Sequence, residues 1–540
     1  MSSIMFQGTA SNVGKSVIAA AVCRILTQDG YSVVPFKSQN MSLNSFIDKD
    51  GLEMGRAQVF QAEACNKIPR AYMNPILLKP CGNHISQIIV NGKSIGNMHS
   101  KEYQTFKIEL IPVLKDIFNT LEKENDLVVI EGAGSPAEIN INSVDISNMK
   151  MAEIANSPVI LIADIDRGGV FASVVGTLAL LKNEDRKKVK GVIINKFRGN
   201  KEYFKDGIKM LENIIKIPVL GVVPYYDIKI EEEDGVSSKF NRKVFQSKAD
   251  FVNIEIIKLP HMSNSTDFEV FEHIEKINVR YVDKGEKIGY FDDEGLCHMP
   301  DMLIIPGSKQ TISDMKYLKE SGLYTEIDNY VSKKGLLIAI CGGYQMLGNT
   351  IEDYMGSDGK LGEIDGFGYI KMSTVFSKHK ITNQVEGIFG EEEGLFRNLE
   401  GFTIKGYELH MGKKIDKNNS KEKVIDLEQK DMNNIKINDN HVQRLIEDKE
   451  ENTGVSLSRA DFAYDIVDGH ILGTYCHGLF DNIGFTVALI NNIRKEKSLE
   501  SIATDINSLE DIKESEYNKL ANVVRKNIDM DSLYSIIFDR

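Results

Sequence analysis

From residue 3 to about 224, apolar runs of strand length alternate with amphipathic stretches of helix length. Ile4–Phe6, Val33–Phe36, Leu127–Ile130, Val159–Ala163, Val192–Ile194 and Val219–Val223 read as strands, because short runs of this kind suit a fully buried sheet. Lys15–Thr27, Phe106–Leu121, Val170–Leu181 and Tyr203–Ile214 carry the helical period between them. Strands apolar on both faces need cover on both faces, so the alternation predicts a parallel sheet with helices on each side.

Residues 225–250 turn polar and charged, with Glu231-Glu232-Glu233-Asp234-Gly235 at their centre, and 229–250 are expected to form a linker. A second pattern of the same kind follows in Asn253–Leu259, Met302–Ile305, Leu336–Ile340 and Ile471–Tyr475. The fold class expected is therefore α/β, two domains in series over 1–228 and 251–490, each a mostly parallel sheet with helices on both faces. A helical tail over 491–540 closes the chain. Within the second domain, 413–452 is rich in Lys, Asp, Glu and Asn and reads as a charged, solvated insertion.

With 540 residues the chain exceeds what one core supports. A net charge of −13 disfavours nucleic-acid binding, which needs clustered cations against phosphates, yet leaves room for a small anion in a local basic pocket. No apolar run approaches the ~20 residues that span a bilayer. Met1 leads almost directly into Ile4-Met5-Phe6 without a basic and then apolar leader, so a cytoplasmic protein is expected. The six cysteines are scattered with no CxxC pair, which points to reduced thiols rather than a zinc site or disulfide framework. Oligomeric state is not legible.

Gly8-Thr9-Ala10-Ser11-Asn12-Val13-Gly14-Lys15-Ser16 joins the first strand to the first helix. Successive backbone N–H groups of such a loop, with a helix N-terminus, cradle a polyphosphate; Gly8, Thr9, Asn12, Val13 and Gly14 supply the wrap, Lys15 neutralises charge and Ser16 ligates Mg²⁺. Five residues separate the glycines, one more than in the usual loop. Glu131 ends the strand Leu127–Ile130 on the side where ligands of parallel sheets gather, and is expected to approach the Mg²⁺ or its waters. Asn195, after Val192–Ile194, offers an amide to an adenine edge. Arg167, in Asp164-Ile165-Asp166-Arg167-Gly168-Gly169, either contacts phosphate or carboxylate or closes a salt-bridged turn.

In the second half, Leu336–Ile340 delivers Cys341 into Gly342-Gly343 and a helix start. A turn of this shape lifts one side chain out of the sheet and exposes it, and a helix N-terminus favours the thiolate. Cys341 is thus a candidate nucleophile, or else one more inert buried cysteine. His477, in Tyr475-Cys476-His477-Gly478, is the candidate base, while Cys476 faces the other way on the same strand and is assigned to the core. Gly307, in Pro306-Gly307-Ser308-Lys309, and Gly342 can present N–H groups to an oxyanion. Gly406–Gly412 is a further strand-like segment expected to line the same cleft.

Together, the segments at 8–16, Pro35–Ser42, Glu131–Ser135, Asp164–Gly169, Cys341–Gly348 and Tyr475–Phe480 resemble the cobyric acid synthases, glutamine-dependent amidotransferases of cobalamin biosynthesis. The resemblance runs in order from about residue 3 to 490. It implies a dethiobiotin-synthetase-like first domain, whose relatives share the longer glycine spacing, and a class I glutamine amidotransferase second domain. It further implies ATP and Mg²⁺ as cofactors, and glutamine and a corrinoid as small-molecule substrates. Four carboxylates (b, d, e and g) of adenosylcobyrinic acid a,c-diamide would be amidated to give adenosylcobyric acid. One departure stands out: where many class I glutaminases have a Glu two residues after the histidine, this chain has Leu479, so a Cys341–His477 dyad is expected with its orienting group open. The alternatives are an amidoligase acting on another carboxylate, such as the a,c-diamide synthase or a cell-wall amidotransferase, and a nucleotide-switched partitioning-type ATPase. A second domain kept only as a scaffold, with free ammonia as donor, is a further one.

Overall fold

The computed structural model describes residues 2–82, 84–140, 145–226, 250–291, 296–358, 362–415, 459–503 and 508–538. The expected linker, apart from Asp250, and most of the charged insertion lie outside them.

In chain order the first unit contains strands β1 (Ser2–Gly8), β2 (Val33–Phe36), β3 (Gln39–Met41), β4 (Ser45–Ile47), β5 (Glu53–Gly55), β6 (Ile76–Pro80), β7 (Ile85–Val90), β8 (Lys93–His99), β9 (Leu127–Glu131), β10 (Val159–Asp164), β11 (Val189–Phe197) and β12 (Val219–Pro224). Six of them form one parallel sheet in the order β12-β11-β10-β1-β9-β2. β1 lies between β9 and β10, so the loop after it opens at the carboxyl edge of the sheet, beside Glu131 and Asp164. Helix α1 (Lys15–Gln28) is covered on both sides and buries its run of Ile18 to Leu26. Helix α2 (Arg56–Ala64) follows β5.

Two features of this unit depart from the reading of the apolar pattern. Phe106–Leu121 is not one helix: Ser100–Glu109 ends and Ile111–Glu124 begins afresh with Pro112 in its first turn, where a missing N–H costs nothing. A second sheet, β3-β6-β7-β8, escapes the periodic pattern because its outer strand β8 is half-exposed or exposed along its whole length.

The second unit repeats the layered plan. Its central sheet runs Ile277–Val282, Val252–Ile257, Met302–Ile305, Leu337–Ile340, Ile471–Thr474 and Tyr464–Val467, parallel except for the last strand. Beside it a long hairpin, Ser373–Ile388 with Thr403–Ile415, carries the short strand Cys476–His477 at its edge. Gly406–Gly412 thus lies inside a strand, and Leu409, His410 and Met411 of it line the cavity that holds Cys341.

After the second unit the chain returns to the first. The helices Leu509–Arg525 and Met530–Phe538 bury Leu520, Val524, Leu533 and Ile537 in the apolar cluster that holds Ile18, Val22 and Ile25 of α1. Among the described residues no helix is long and apolar enough to cross a membrane. Leu533 is fully buried, so Leu533→Ala is expected to cost about 2–5 kcal/mol. The check is a lower urea midpoint for the first unit with the slope of the transition unchanged.

Candidate functional site

The loop after β1 wraps on itself as its glycines require. Gly14 adopts φ 91°, and Lys15 folds back so that its Nζ donates to Ala10 O and Gly134 O, each at 3.1 Å. Ser16 Oγ donates to Glu131 Oε1 at 2.8 Å, which joins the two residues expected to share a metal. Glu131 also accepts from Lys37 Nζ at 3.0 Å and from Gln61 Nε2, and is almost fully buried. A hydroxyl beside a carboxylate at the mouth of a phosphate loop is the hard-oxygen donor set that Mg²⁺ favours, so these residues fit that ion. No cluster of three or more His, Cys, Asp or Glu able to hold a metal occurs among the described residues.

Asn195 does not present its amide outward. It is buried, and its Nδ2 donates to Val13 O at 2.9 Å, while Lys196 Nζ donates to Asn12 O at 2.6 Å. Both side chains brace the loop from β11. Arg167 lies 3.8 Å from Asp164 with its side chain two-thirds exposed, which is the salt-bridged turn of the two readings.

In the second unit the chain leaves Ile340 through Cys341 at φ 53°, ψ −108°, a conformation that costs a non-glycine residue energy and recurs where a side chain must be aimed. A helix begins at once, over Gly342–Met346. Its glycines are needed for contact: a Cβ on Gly342 would lie 2.7 Å from Ser308 N, and one on Gly343 would lie 2.3 Å from Ile305 O. The turn that bears Gly307 and Ser308 is thereby pressed against the start of the helix. Cys341 is only 5% exposed, not exposed as its turn suggests, because it opens into a cavity roofed in part by Lys79 of the first unit.

His477 lines the same cavity as Cys341, whose thiol donates to Leu409 O at 3.5 Å. Its Nδ1 lies 2.7 Å from Asp267 Oδ2, and the other carboxylate oxygen accepts from Gly478 N at 3.1 Å. Asp267 is the orienting group that the sequence left open. It sits 210 residues away in a 3-10 turn over Ser265–His273, with no local signal to mark it. Leu479 is fully buried in the apolar core, and so is Cys476, whose thiol burial pushes well up. Burial alone would push the His477 imidazole down, but Asp267 and Cys341 together outweigh it and raise its pKa to about 10.

Side chains of both units meet above this cavity. Glu53 on β5 accepts from Lys79 Nζ at 2.9 Å and from Lys380 Nζ of the hairpin. Lys380 and Lys309 both donate to Gln87 Oε1 at 3.1 Å, and Gln310 Nε2 donates to Cys81 O. Burial pulls the Lys380 pKa down to about 7 against the attraction of Glu53.

Residues 4–235 match the family described as the CobQ/CobB/MinD/ParA nucleotide binding domain, and residues 253–485 match the CobB/CobQ-like glutamine amidotransferase domain. Over 536 residues the chain is 48% identical to a cobyric acid synthase of Alkaliphilus metalliredigens, covering 99% of both chains. The chain belongs to the cobyric acid synthase family. Members from Caldanaerobacter subterraneus subsp. tengcongensis and Clostridium acetobutylicum are 45% and 46% identical, each over 99% of this chain and 98% and 99% of their own. The two-unit α/β architecture is that of the family's paired domains, a nucleotide-binding one and a glutamine amidotransferase one.

The folded-state pKa of His477 lies above the ordinary histidine value of 6.5. The stabilisation its charge brings is therefore whole below pH 6.5 and is lost as pH rises through about 10. Asp267→Asn is expected to move the His477 titration down by about two pH units or more, since burial then meets less opposition. Histidine-labelled NMR across pH 5–11 reads this directly.

Proposed function

We propose that this chain is an ATP-dependent amidoligase that draws its nitrogen from glutamine and acts on a corrinoid. The substrate assigned is adenosylcobyrinic acid a,c-diamide, amidated at the b, d, e and g carboxylates to give adenosylcobyric acid. The observation that carries the reading is the Cys341–His477–Asp267 array, in one chain with a phosphate loop whose serine meets a buried carboxylate.

In the second unit, Asp267 accepts the Nδ1–H of His477 and so turns its other ring nitrogen to the thiol. His477, its imidazole held charged by Asp267 and Cys341, pairs with the Cys341 thiolate as sulfur attacks the glutamine carboxamide, then passes its proton to the departing nitrogen. The C–N bond breaks as a thioester forms, and water cleaves the thioester to glutamate. N–H groups of the Gly307 turn and of Gly342 are assigned to the oxyanion, since the two segments already touch.

In the first unit, Gly8, Thr9, Asn12, Val13 and Gly14 wrap the phosphates of ATP, and Lys15 balances their charge. Ser16 and Glu131 would hold Mg²⁺, which when bound offsets charge on the transferring phosphoryl group. Asn195 keeps the loop in shape through Val13. A carboxylate is a poor electrophile; as an acyl phosphate it yields to ammonia with release of phosphate. Ammonia is mostly protonated near neutral pH, so freeing it inside the protein delivers the reactive form.

Mass spectrometry of cobyrinic acid a,c-diamide incubated with protein, ATP and glutamine tests the assignment: products heavier by four amidations are expected, and an unmodified corrinoid would refute it. Cys341→Ala is expected to lose glutamine-driven amidation while keeping ammonium-driven amidation. Unchanged glutamate release by that variant would sink the glutaminase assignment. Lys15→Ala should behave the other way, with amidation down roughly 10²-fold or more and glutamate release retained.

A further inference from the structure

The cavity that holds Cys341 carries more charge than the thiol chemistry uses. Apart from the thiol and two imidazoles, four ionisable side chains line it: Lys79, Lys309, Lys380 and Asp358. Lys79 and Lys380 both answer Glu53. Lys309 and Asp358 are left over. The Lys309 ammonium donates to the neutral amide of Gln87 at 3.1 Å and forms no ion pair among the described residues. Asp358 is 6% exposed, and its two oxygens accept from Thr311 N and Ile312 N at 2.9 Å each; it too forms no ion pair among the described residues.

Opposite charges enclosed together ordinarily close on one another, since each is costly to strip of water unless paired. Here they stay apart. Asp358 is held by the first two N–H groups of the helix Thr311–Ser321, and Lys309 by Gln87 of the first unit. Both feel the lack of a partner. Burial draws the Lys309 pKa down, and lifts that of Asp358 to about 7 in spite of its two N–H donors and the attraction of Lys309. An ammonium has three donors, of which Lys309 uses one on Gln87, and each carboxylate oxygen of Asp358 keeps a second lone pair. A ligand with a carboxylate and an ammonium on one carbon would satisfy both groups at once.

The cavity also has a direction. Ser357, Lys380 and Met411 line both it and a wider cleft of about 640 Å³ at the junction of the two units, which Cys341 does not line. Asp358 follows Ser357, so a molecule entering from the cleft passes the charged wall before it meets the thiol. Glutamine is built to match, with a zwitterionic carbon at one end and a carboxamide at the other. We infer that Lys309 takes the α-carboxylate of glutamine and Asp358 its α-ammonium, which sets the carboxamide against Cys341. This rests on the glutaminase reading above and adds its specificity. The pair selects the free amino acid over a glutamine side chain within a peptide, whose α-carbon bears neither charge.

The test follows hydrolysis by the full-length protein, with ATP and corrinoid present, through mass spectrometry of the deamidated product. Three substrates are compared: L-glutamine, its α-amide, which lacks the carboxylate, and 4-carbamoylbutanoate, which lacks the amine. Lys309→Met is expected to raise KM for glutamine about tenfold or more with kcat changed less, and to shrink the preference for glutamine over the α-amide by a like factor. Asp358→Asn is expected to do the same to the preference over 4-carbamoylbutanoate. An equal loss on glutamine and on the matching analogue overturns the proposal, because a merely structural role moves both together; so does no loss on either. Should Lys309→Met fail to fold, Lys309→Gln, which keeps a donor for Gln87 and drops the charge, is read in the same way. A parent protein that hydrolyses glutamine no better than its α-amide overturns the proposal without any variant. One that hydrolyses none of the three sinks the glutaminase reading itself.

Discussion

Glu53 is sealed inside the protein with a lysine from each unit upon it. A carboxylate buried alone would give up its charge, but Lys79 and Lys380 outweigh burial and hold its pKa well below the usual carboxylate range. Each of the three groups would be costly without the others, so the two units dock in the one register that brings them together. Gln87 extends the knot to Lys309, next to the turn that bears Gly307 and Ser308. The turn beside the thiol is therefore fixed from outside its own unit, and Tyr407 meets Ser45 across the same junction.

Within that frame the chemistry is assembled from distant pieces of chain. The thiol comes from the end of a central strand, the imidazole from a short edge strand and the carboxylate from a 3-10 turn. Each is held by something other than its reaction partner: Cys341 by a strained backbone, His477 by pairing with Tyr407, Asp267 by Gly478 N. The phosphate loop follows the same rule, since Asn195 and Lys196 support it from a neighbouring strand.

What could be read from the sequence follows from physics that acts locally. The strands of the two central sheets are apolar runs because both faces are covered, and the phosphate loop is contiguous, so Lys15 and Ser16 were legible together and Glu131 as the acidic end of a buried strand. Cys341 was legible because an elbow is a local shape. Asp267 was not, since its role depends on a contact spanning most of the second unit, and nothing in Asn264–Phe268 distinguishes it from any capped turn. Asn195 was legible as a residue near the phosphate loop, but its hold on Val13 O was not, since that contact joins segments 182 residues apart. The sheet β3-β6-β7-β8 was missed because β8 lies open to solvent and its side chains need no apolar alternation.

The helices Leu509–Arg525 and Met530–Phe538 lie against α1, although they are synthesised after the entire second unit. The nucleotide-binding half thus stays unfinished on the ribosome until its nitrogen-supplying partner has emerged. A nascent chain halted early leaves α1 with an oily flank uncovered, a substrate for chaperones and proteases and not a free-standing, ATP-consuming fragment.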